Sequence, residues 1–466
     1  MFSGIIQYFY PDLKKEELNK FTHLAVAFLF TAGTYWLLRL VKDDVIYKIA
    51  FSEEFGWPIG YGATMVAKLK TISPFVVMGA LAVYTKLIDM FEKQQLFYVI
   101  GTFFASVFAF VALMLCSADT LGVEAIKAFS FGPMLLGAAG SLGYLATEAF
   151  GSLMMAVFWS FTVSSATSDQ AKRGFPFVIV LGQIGAISAS SVMYFKGNFP
   201  TWPLYFIAIA GICGLIFTIK SLMKSVPASE MTSGKVEKKK SKPDVLAGFK
   251  LLVTQPYLMG VFVVSTFYEV AKVVVDMQMK YQASVIMPKA EFARFLGIFG
   301  MCVNSLSLLM ALLGTAYAMK KYGLRVCLLI YPIMFGACLT GIYFYYLTGP
   351  TAENLFWATF GAMMIVTAVS YAVNNPVKEM MYIPTSKDAK FKAKGLVDMV
   401  GGRAGKMAGA NIGGALIVSG NVAASIAGLM TTGTLISLGV ICVWLLVAIY
   451  VGIKNAQLVR DGEIIE

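Results

Sequence analysis

Four groups of ionic side chains sit where an apolar chain should have none, and each is a candidate for function rather than for structure alone. The first is "LLRLVKDD", in which Arg39 and Asp43 stand four apart on one helix face while Lys42 points elsewhere around the turn. The second is Glu148 in "YLATEAFGSL", the one formal charge between Pro133 and Ser165. The third is "FYEVAKVVVDMQMKYQ", where Glu269, Lys272, Asp276 and Lys280 follow spacings of three, four and four and align as an alternating charge stripe. The fourth runs from Lys378 to Lys406 and holds Lys378, Lys387, Lys390, Lys392, Lys394, Arg403 and Lys406, after Asn374, Asn375 and Pro376 close an apolar run. A charge inside an apolar run is costly enough that each group is a candidate functional site.

Each group also has a plainer reading. Arg39 and Lys42 can snorkel to lipid headgroups. Glu148 is too short for that and must face a wet cavity, pair with a cation or be protonated, a structural ion pair being the plain form. The stripe can neutralise itself, and Lys387, Lys390 and Lys392 suit a solvated loop. Lys378, Lys394 and Lys406 suit it less well, because they flank the ends of spans. Enzyme chemistry has no visible machinery: "GGRAGKM" has three residues between Gly401 and Gly405 and Met407 where a phosphate loop needs Ser or Thr, and no HExxH, nucleophile elbow or paired-carboxylate motif occurs. Cys116, Cys213, Cys302, Cys327, Cys338 and Cys442 show no CxxC spacing. No metal and no cofactor are expected.

The elements that must position these charges are membrane helices. Of 466 residues 58% are hydrophobic and 14% charged, against roughly 25% charged in soluble domains. Apolar runs near the ~20 residues a helix needs to cross a bilayer recur along the chain, and an irregular backbone facing lipid would leave peptide groups unpaired. The reading is an all-α membrane protein of twelve transmembrane helices in two six-helix halves, major-facilitator-like, from Phe21–Val41 to Lys406–Val422 and Met430–Val451. The formal charge of +12 resides in short loops, with no basic soluble domain, so it reports topology and not a nucleic-acid partner. Lys86 and Lys93, Lys172 and Arg173, the linker lysines, and Lys320, Lys321 and Arg325 fall in alternate loops, which places both termini in the cytoplasm.

The polar stretch "SVPASEMTSGKVEKKKSKPD" divides the chain into an N-terminal half, 1–224, a basic cytoplasmic linker, 225–244, and a C-terminal half, 245–466. Two-half transporters hold substrate near the midplane between halves. Shifting Lys42 by 230 lands on Lys272, and the same shift takes Glu148 to Lys378, so unusual charges recur at comparable places. Gly401, Gly405, Gly409 and Gly413 recur every four residues, a stripe that reads as close helix packing.

These residues resemble the ATP/ADP translocases of plastids and obligate intracellular bacteria, the non-mitochondrial nucleotide transporters. The resemblance covers most of the chain and is most specific at "PVKEMMYIPTSKDAKFKAKGLVDMVGGRAGK", with support from "LLRLVKDDV", "EAFGSL", and "FW" followed by "AKRGFP". It implies ATP and ADP as partners, with phosphate or other nucleotides as further candidates, and functional charges at Lys42, Glu148, Glu269 and Lys394. Arg39, Lys272, Asn374 and Lys378 complete the candidate substrate-binding set. Two departures bear on nucleotide preference: Val163 stands where many members carry Asn, and the family's "EVxWK" reads "EVAK". The family implies a bacterial inner membrane or plastid-type inner envelope and a monomer in the lipid bilayer. Tyr35, Tyr144 and Tyr268 are candidates to stack the base. Two alternatives stay open: an importer of other nucleotides or NAD, proton-coupled or exchanging, and a nucleotide-binding sensor that does not transport.

Overall fold

An apolar chain in lipid must pair its peptide groups within each segment or within a closed barrel, and this chain takes the first route. The computed structural model describes residues 13–227, 230–231, 245–313, 315–386, 389, 393–394 and 396–465. Most of the expected linker 225–244 lies outside them, as do Lys387, Lys390 and Lys392. The long helices are α1 (Lys15–Asp44, continued by a π turn over Val45–Ala50), α2 (Tyr61–Met90), α3 (Lys93–Ala128), α4 (Gly132–Ser164), α5 (Ser168–Phe195) and α6 (Trp202–Ser225). They are followed by α7 (Pro256–Ile286), α8 (Lys289–Leu313), α9 (Thr315–Leu347), α10 (Ala352–Val369), α11 (Gly402–Ala415) and α12 (Thr434–Asp461). Local chemistry starts and stops them. Thr167 accepts the Gln170 N–H at the head of α5, proline occupies the first turn of α4, α6 and α7, and Gly462 ends α12 at φ 69°.

Among the described residues, eleven helices are long and apolar enough to cross a membrane. The expected span Lys406–Val422 is not one of them, and this corrects its bounds. Its residues form α11, entered through the π turn Val397–Gly401, and Arg403, Lys406, Asn411 and the glycines make it polar for a lipid-facing helix. Packing on α7 explains how it is tolerated. A Cβ at Gly405 would stand 2.7 Å from the Thr266 carbonyl oxygen, one at Gly409 2.5 Å from that of Val270, and one at Gly413 2.7 Å from Met277 Sδ. Only glycine allows that approach, so the stripe is the α7 contact face.

By packing, the described chain forms two compact units. One comprises Met1–Trp57, Phe75–Lys238 and Pro288–Ser305; the other comprises Pro58–Pro74, Lys239–Met287 and Leu306–Glu466. In the first, α1 packs on α4, α5 and α6, and α3 on α4 and α6; in the second, α7 is central, touching α10, α11 and α12. Each unit therefore takes a piece from the far half of the sequence. The piece of α2 that belongs to the second unit ends at Pro74, which lacks the N–H of an interior helix residue. The two borrowed pieces obey the shift seen in the charges: moved by 230, Pro58 lands on Pro288 and Pro74 on Asn304, against the observed Pro288–Ser305.

Candidate functional site

In the first unit the last turn of α1 sends Lys42 toward α4. Its Nζ lies 2.9 Å from Glu148 Oε1 and 3.4 Å from Asp43 Oδ1. It also stands 3.6 Å from the centroid of the Tyr144 ring. Lys42 is 4% exposed and Tyr144 is fully buried, whereas the Glu148 side chain is 32% exposed. Tyr144 and Glu148 are four apart, so α4 presents a ring and a carboxylate one turn apart on the same face, and Lys42 meets both. Glu148 is the accessible member of this group. The next acid, Asp44, serves a different cation. Thr201 Oγ1 donates to it at 2.7 Å and Lys196 lies 3.7 Å away, all three buried.

The second unit assembles the same three residue types with the helices exchanged. Here the ring and the acid are on α7 and the lysine comes from the short helix Asn375–Met380, which follows α10 through the π turn Ser370–Asn374. Lys378 Nζ stands 3.5 Å from the Tyr268 ring centroid and donates to the Ser265 carbonyl at 3.5 Å. The Tyr268 hydroxyl donates to Glu269 Oε1 at 2.5 Å, and Lys406 Nζ approaches the same oxygen at 4.0 Å. Behind Tyr268 lie Tyr331 and Trp444, both buried, with ring centroids 6.2 and 6.4 Å from it. The shift of 230 that takes Glu148 to Lys378 thus takes the acid of the first cradle to the lysine of the second. The same shift takes Lys42 to Lys272, outside that cradle, so the correspondence holds for this one position.

The remaining expected residues spread around these two cradles. Arg39 lies with its guanidinium 4.7 Å from the Trp36 ring, half-buried, one turn before Asp43. Lys272 is half-buried on α7, one turn beyond Glu269. Asn374 is 4% exposed, and its Nδ2 has no hydrogen-bond partner among the described residues. Lys394 pairs with Glu379 at 2.5 Å, apart from the Lys378–Tyr268 contact. The far half of the α7 stripe turns to α2: Asp276 holds Lys280 at 2.9 Å and Lys70 at 3.0 Å within the second unit. Lys70 escaped the sequence reading because its partner is 206 residues away. Tyr144 and Tyr268, considered for the base, are platforms under lysines. The signal that ties Tyr144 to the Lys42 group is its i, i+4 spacing to Glu148.

Chemically, the first cradle stores Lys42 against a carboxylate and an aromatic face, and the second keeps Lys378 on the aromatic face with Glu269 bound to the same tyrosine and approached by Lys406. Such a lysine can leave the carboxylate for phosphate oxygens and return, because every one of these contacts is noncovalent and charge-assisted. Among the described residues no group of three or more His, Cys, Asp or Glu could hold a metal ion.

A family model described as the TLC ATP/ADP transporter matches residues 1–454. The chain is 28% identical to the chloroplastic ADP,ATP carrier protein 2 of Arabidopsis thaliana, over 92% of this chain and 74% of that protein. It is 26% identical to ADP,ATP carrier protein 1 of Chlamydia muridarum, over 95% and 89%, and 25% identical to ADP,ATP carrier protein 1 of Rickettsia bellii, over 86% of each. In fold it is similar to a bacterial homologue of the iron transporter ferroportin in an inward-facing state, with a TM-score of 0.63 at 13% identity, covering 92% of this chain and 99% of that one. A mutant of the nucleoside transporter NupG gives 0.61 at 15% identity, covering 93% and 99%. These likenesses are of fold: the all-α arrangement of this chain is shared with those solved structures along nearly their whole length.

Proposed function

The chain belongs to the TLC ATP/ADP transporter family, and from that premise we propose that it exchanges ATP for ADP by partner exchange at two lysine cradles. It is a multi-pass membrane protein that transports nucleotide. ATP carries about four negative charges and ADP about three, and a carrier must replace their water with fixed cations and donors. Lys42 and Lys378 supply cations from the two units, with Arg39, Lys272 and Lys394 as further contacts. Glu148 and Glu269 hold cationic partners while no nucleotide is present and yield them when phosphate arrives. The observation that carries this reading is the buried Lys42 in contact with the more exposed Glu148 at 2.9 Å. A lone charge at that depth would cost at least ~2.5–3.5 kcal/mol to insert, so a partner that can be traded for substrate is needed at every stage.

The test is uptake of labelled ATP, ADP, GTP, CTP, UTP and NAD into proteoliposomes preloaded with each counter-substrate. Exchange restricted to ATP and ADP is expected, and Lys42→Ala and Lys378→Ala each abolish it while the protein elutes as a folded monomer. Uptake that follows an imposed pH gradient without counter-substrate would replace antiport with proton coupling. Nucleotide binding without uptake would leave a sensor.

The two halves 1–224 and 245–466, with the basic linker 225–244 and both termini on the cytoplasmic side, remain our proposed topology. Labelling of single cysteines placed at residues 235 and 460 from outside intact cells tests it, and reaction at either position reverses the assignment.

A further inference from the structure

We propose that Tyr144 and Tyr268 are positioning residues: each ring face holds the lysine of its unit, Lys42 or Lys378, in place as that lysine meets an incoming anion. The proposal rests on the reading of these two lysines as phosphate contacts. Both ammonium groups stand over a ring centroid at nearly the same distance, 3.6 Å and 3.5 Å, although the helices that carry lysine and ring differ between the units. A carboxylate accompanies the pair each time, Glu148 at 2.9 Å from Lys42 and Glu269 on the Tyr268 hydroxyl at 2.5 Å.

An aromatic face does for an ammonium what a carboxylate cannot. A carboxylate neutralises an ammonium and competes with phosphate for it. A ring attracts the ammonium through its quadrupole and leaves the full positive charge available to a polyanion. Lysine has a flexible four-carbon stem, and when its carboxylate partner lets go, nothing in that stem fixes the head group. The ring does so from the buried side, because Tyr144 is fully buried and Tyr268 is 9% exposed, while the carboxylate Glu148 is the accessible neighbour. In the first unit substrate therefore approaches from the carboxylate side and finds the ammonium already seated. In the second unit one tyrosine does double duty, holding Lys378 on its face and Glu269 on its hydroxyl.

Both rings are also packed core residues, so the experiment must separate positioning from packing. Affinity of the purified full chain for ATP, ADP, AMP and adenosine is measured in Tyr144→Leu, Tyr144→Phe, Tyr268→Leu and Tyr268→Phe. The leucine variants are expected to lose roughly tenfold in ATP affinity, less for ADP and nothing for adenosine. Tyr144→Phe restores the ring and brings ATP affinity back to within about threefold of wild type. Tyr268→Phe keeps ATP affinity but slows exchange, because Glu269 loses its donor. Phenylalanine carrying one, two or three ring fluorines at position 144 or 268 keeps the ring's size and weakens its quadrupole stepwise, so ATP affinity falls stepwise even if a leucine variant fails to fold. A flat fluorination series, or an equal loss for all four ligands, overturns the proposal. Wild-type ATP affinity in Lys42→Ala and Lys378→Ala overturns the lysine reading and the proposal with it. Lysine variants that lose affinity beside ring variants that keep it overturn the proposal alone.

Discussion

Lys42 shows how a single cation is made tolerable inside a span. Its ammonium touches Glu148, Asp43 and the Tyr144 ring, and 4% of the residue is exposed. If Glu148 is the partner that substrate displaces, then removing its charge while keeping its shape should disturb the return step more than the binding step. In Glu148→Gln we expect ATP affinity equal to or higher than wild type, since one negative charge beside the polyanion is gone. Maximal exchange should fall by roughly tenfold or more, because a charge-assisted contact worth about 1.5–3 kcal/mol no longer draws Lys42 back. Binding and exchange measured on the same preparation check this, and an unchanged maximal rate removes Glu148 from the cycle. Asp44 is the contrast. Buried with Thr201 and Lys196, it is structural, and Asp44→Ala strands Lys196 at a cost of about 3–5 kcal/mol, read as a large fall in the unfolding temperature in detergent. Charges out of place in an apolar run made Lys42 and Glu148 visible from sequence. Which of the two acids following Lys42 serves it and which serves Lys196 depended on helices far away in the chain.

At the scale of elements, α7 carries the most information. One face takes α11 through glycines and another collects charge. Gly409→Val would drive two methyl groups into the Val270 carbonyl and Val273 side chain, where even a Cβ meets atoms at 2.5 and 2.9 Å. The expected outcome is loss of folded protein on size exclusion, while Gly402→Ala, with nothing within 4 Å of the added Cβ, behaves as wild type. On the charged face, Asp276 serves two lysines, Lys70 and Lys280. Asp276→Asn leaves both without their shared carboxylate and should destabilise by about 3–5 kcal/mol, whereas Lys70→Ala leaves the Asp276–Lys280 pair intact and costs less. Thermal unfolding of the two variants decides the order. The glycine period of four and the stripe spacing of three, four and four were legible because helix geometry makes them local facts. That Lys70 completes the stripe was not, because no period connects α2 to α7.

For the whole molecule, the consequence of trading a nucleotide of about four charges for one of three is electrical. One elementary charge meets ~2.3 kcal/mol per 100 mV, which is roughly a 50-fold bias in the exchange equilibrium. Proteoliposomes loaded with ADP should therefore accumulate ATP according to an imposed potential. Added internal phosphate flattens that dependence if phosphate leaves with ADP, and leaves it unaltered if the exchange is strictly one for one. The shift of 230 that relates two pairs of charges also relates the pieces that each unit borrows, Pro58–Pro74 and Pro288–Ser305. The same offset thus appears both in the charges and in the pieces that the units exchange.

By itself the sequence determined the solvent and the architecture that solvent permits. A chain with 58% hydrophobic residues must pair its backbone inside helices, and the few charges it retains must be kept off the lipid. The motif around Lys378–Lys406 determined the family. Tertiary structure alone decided who holds whom: Lys42 with Glu148 over Tyr144, Lys378 over Tyr268, Lys394 with Glu379, and Lys70 with Asp276. The physical reason is range. Helix formation and insertion are settled within about 20 residues, while an ion pair in a membrane is settled by whichever side chains packing brings within a few ångströms, and that choice leaves no periodic trace along the chain.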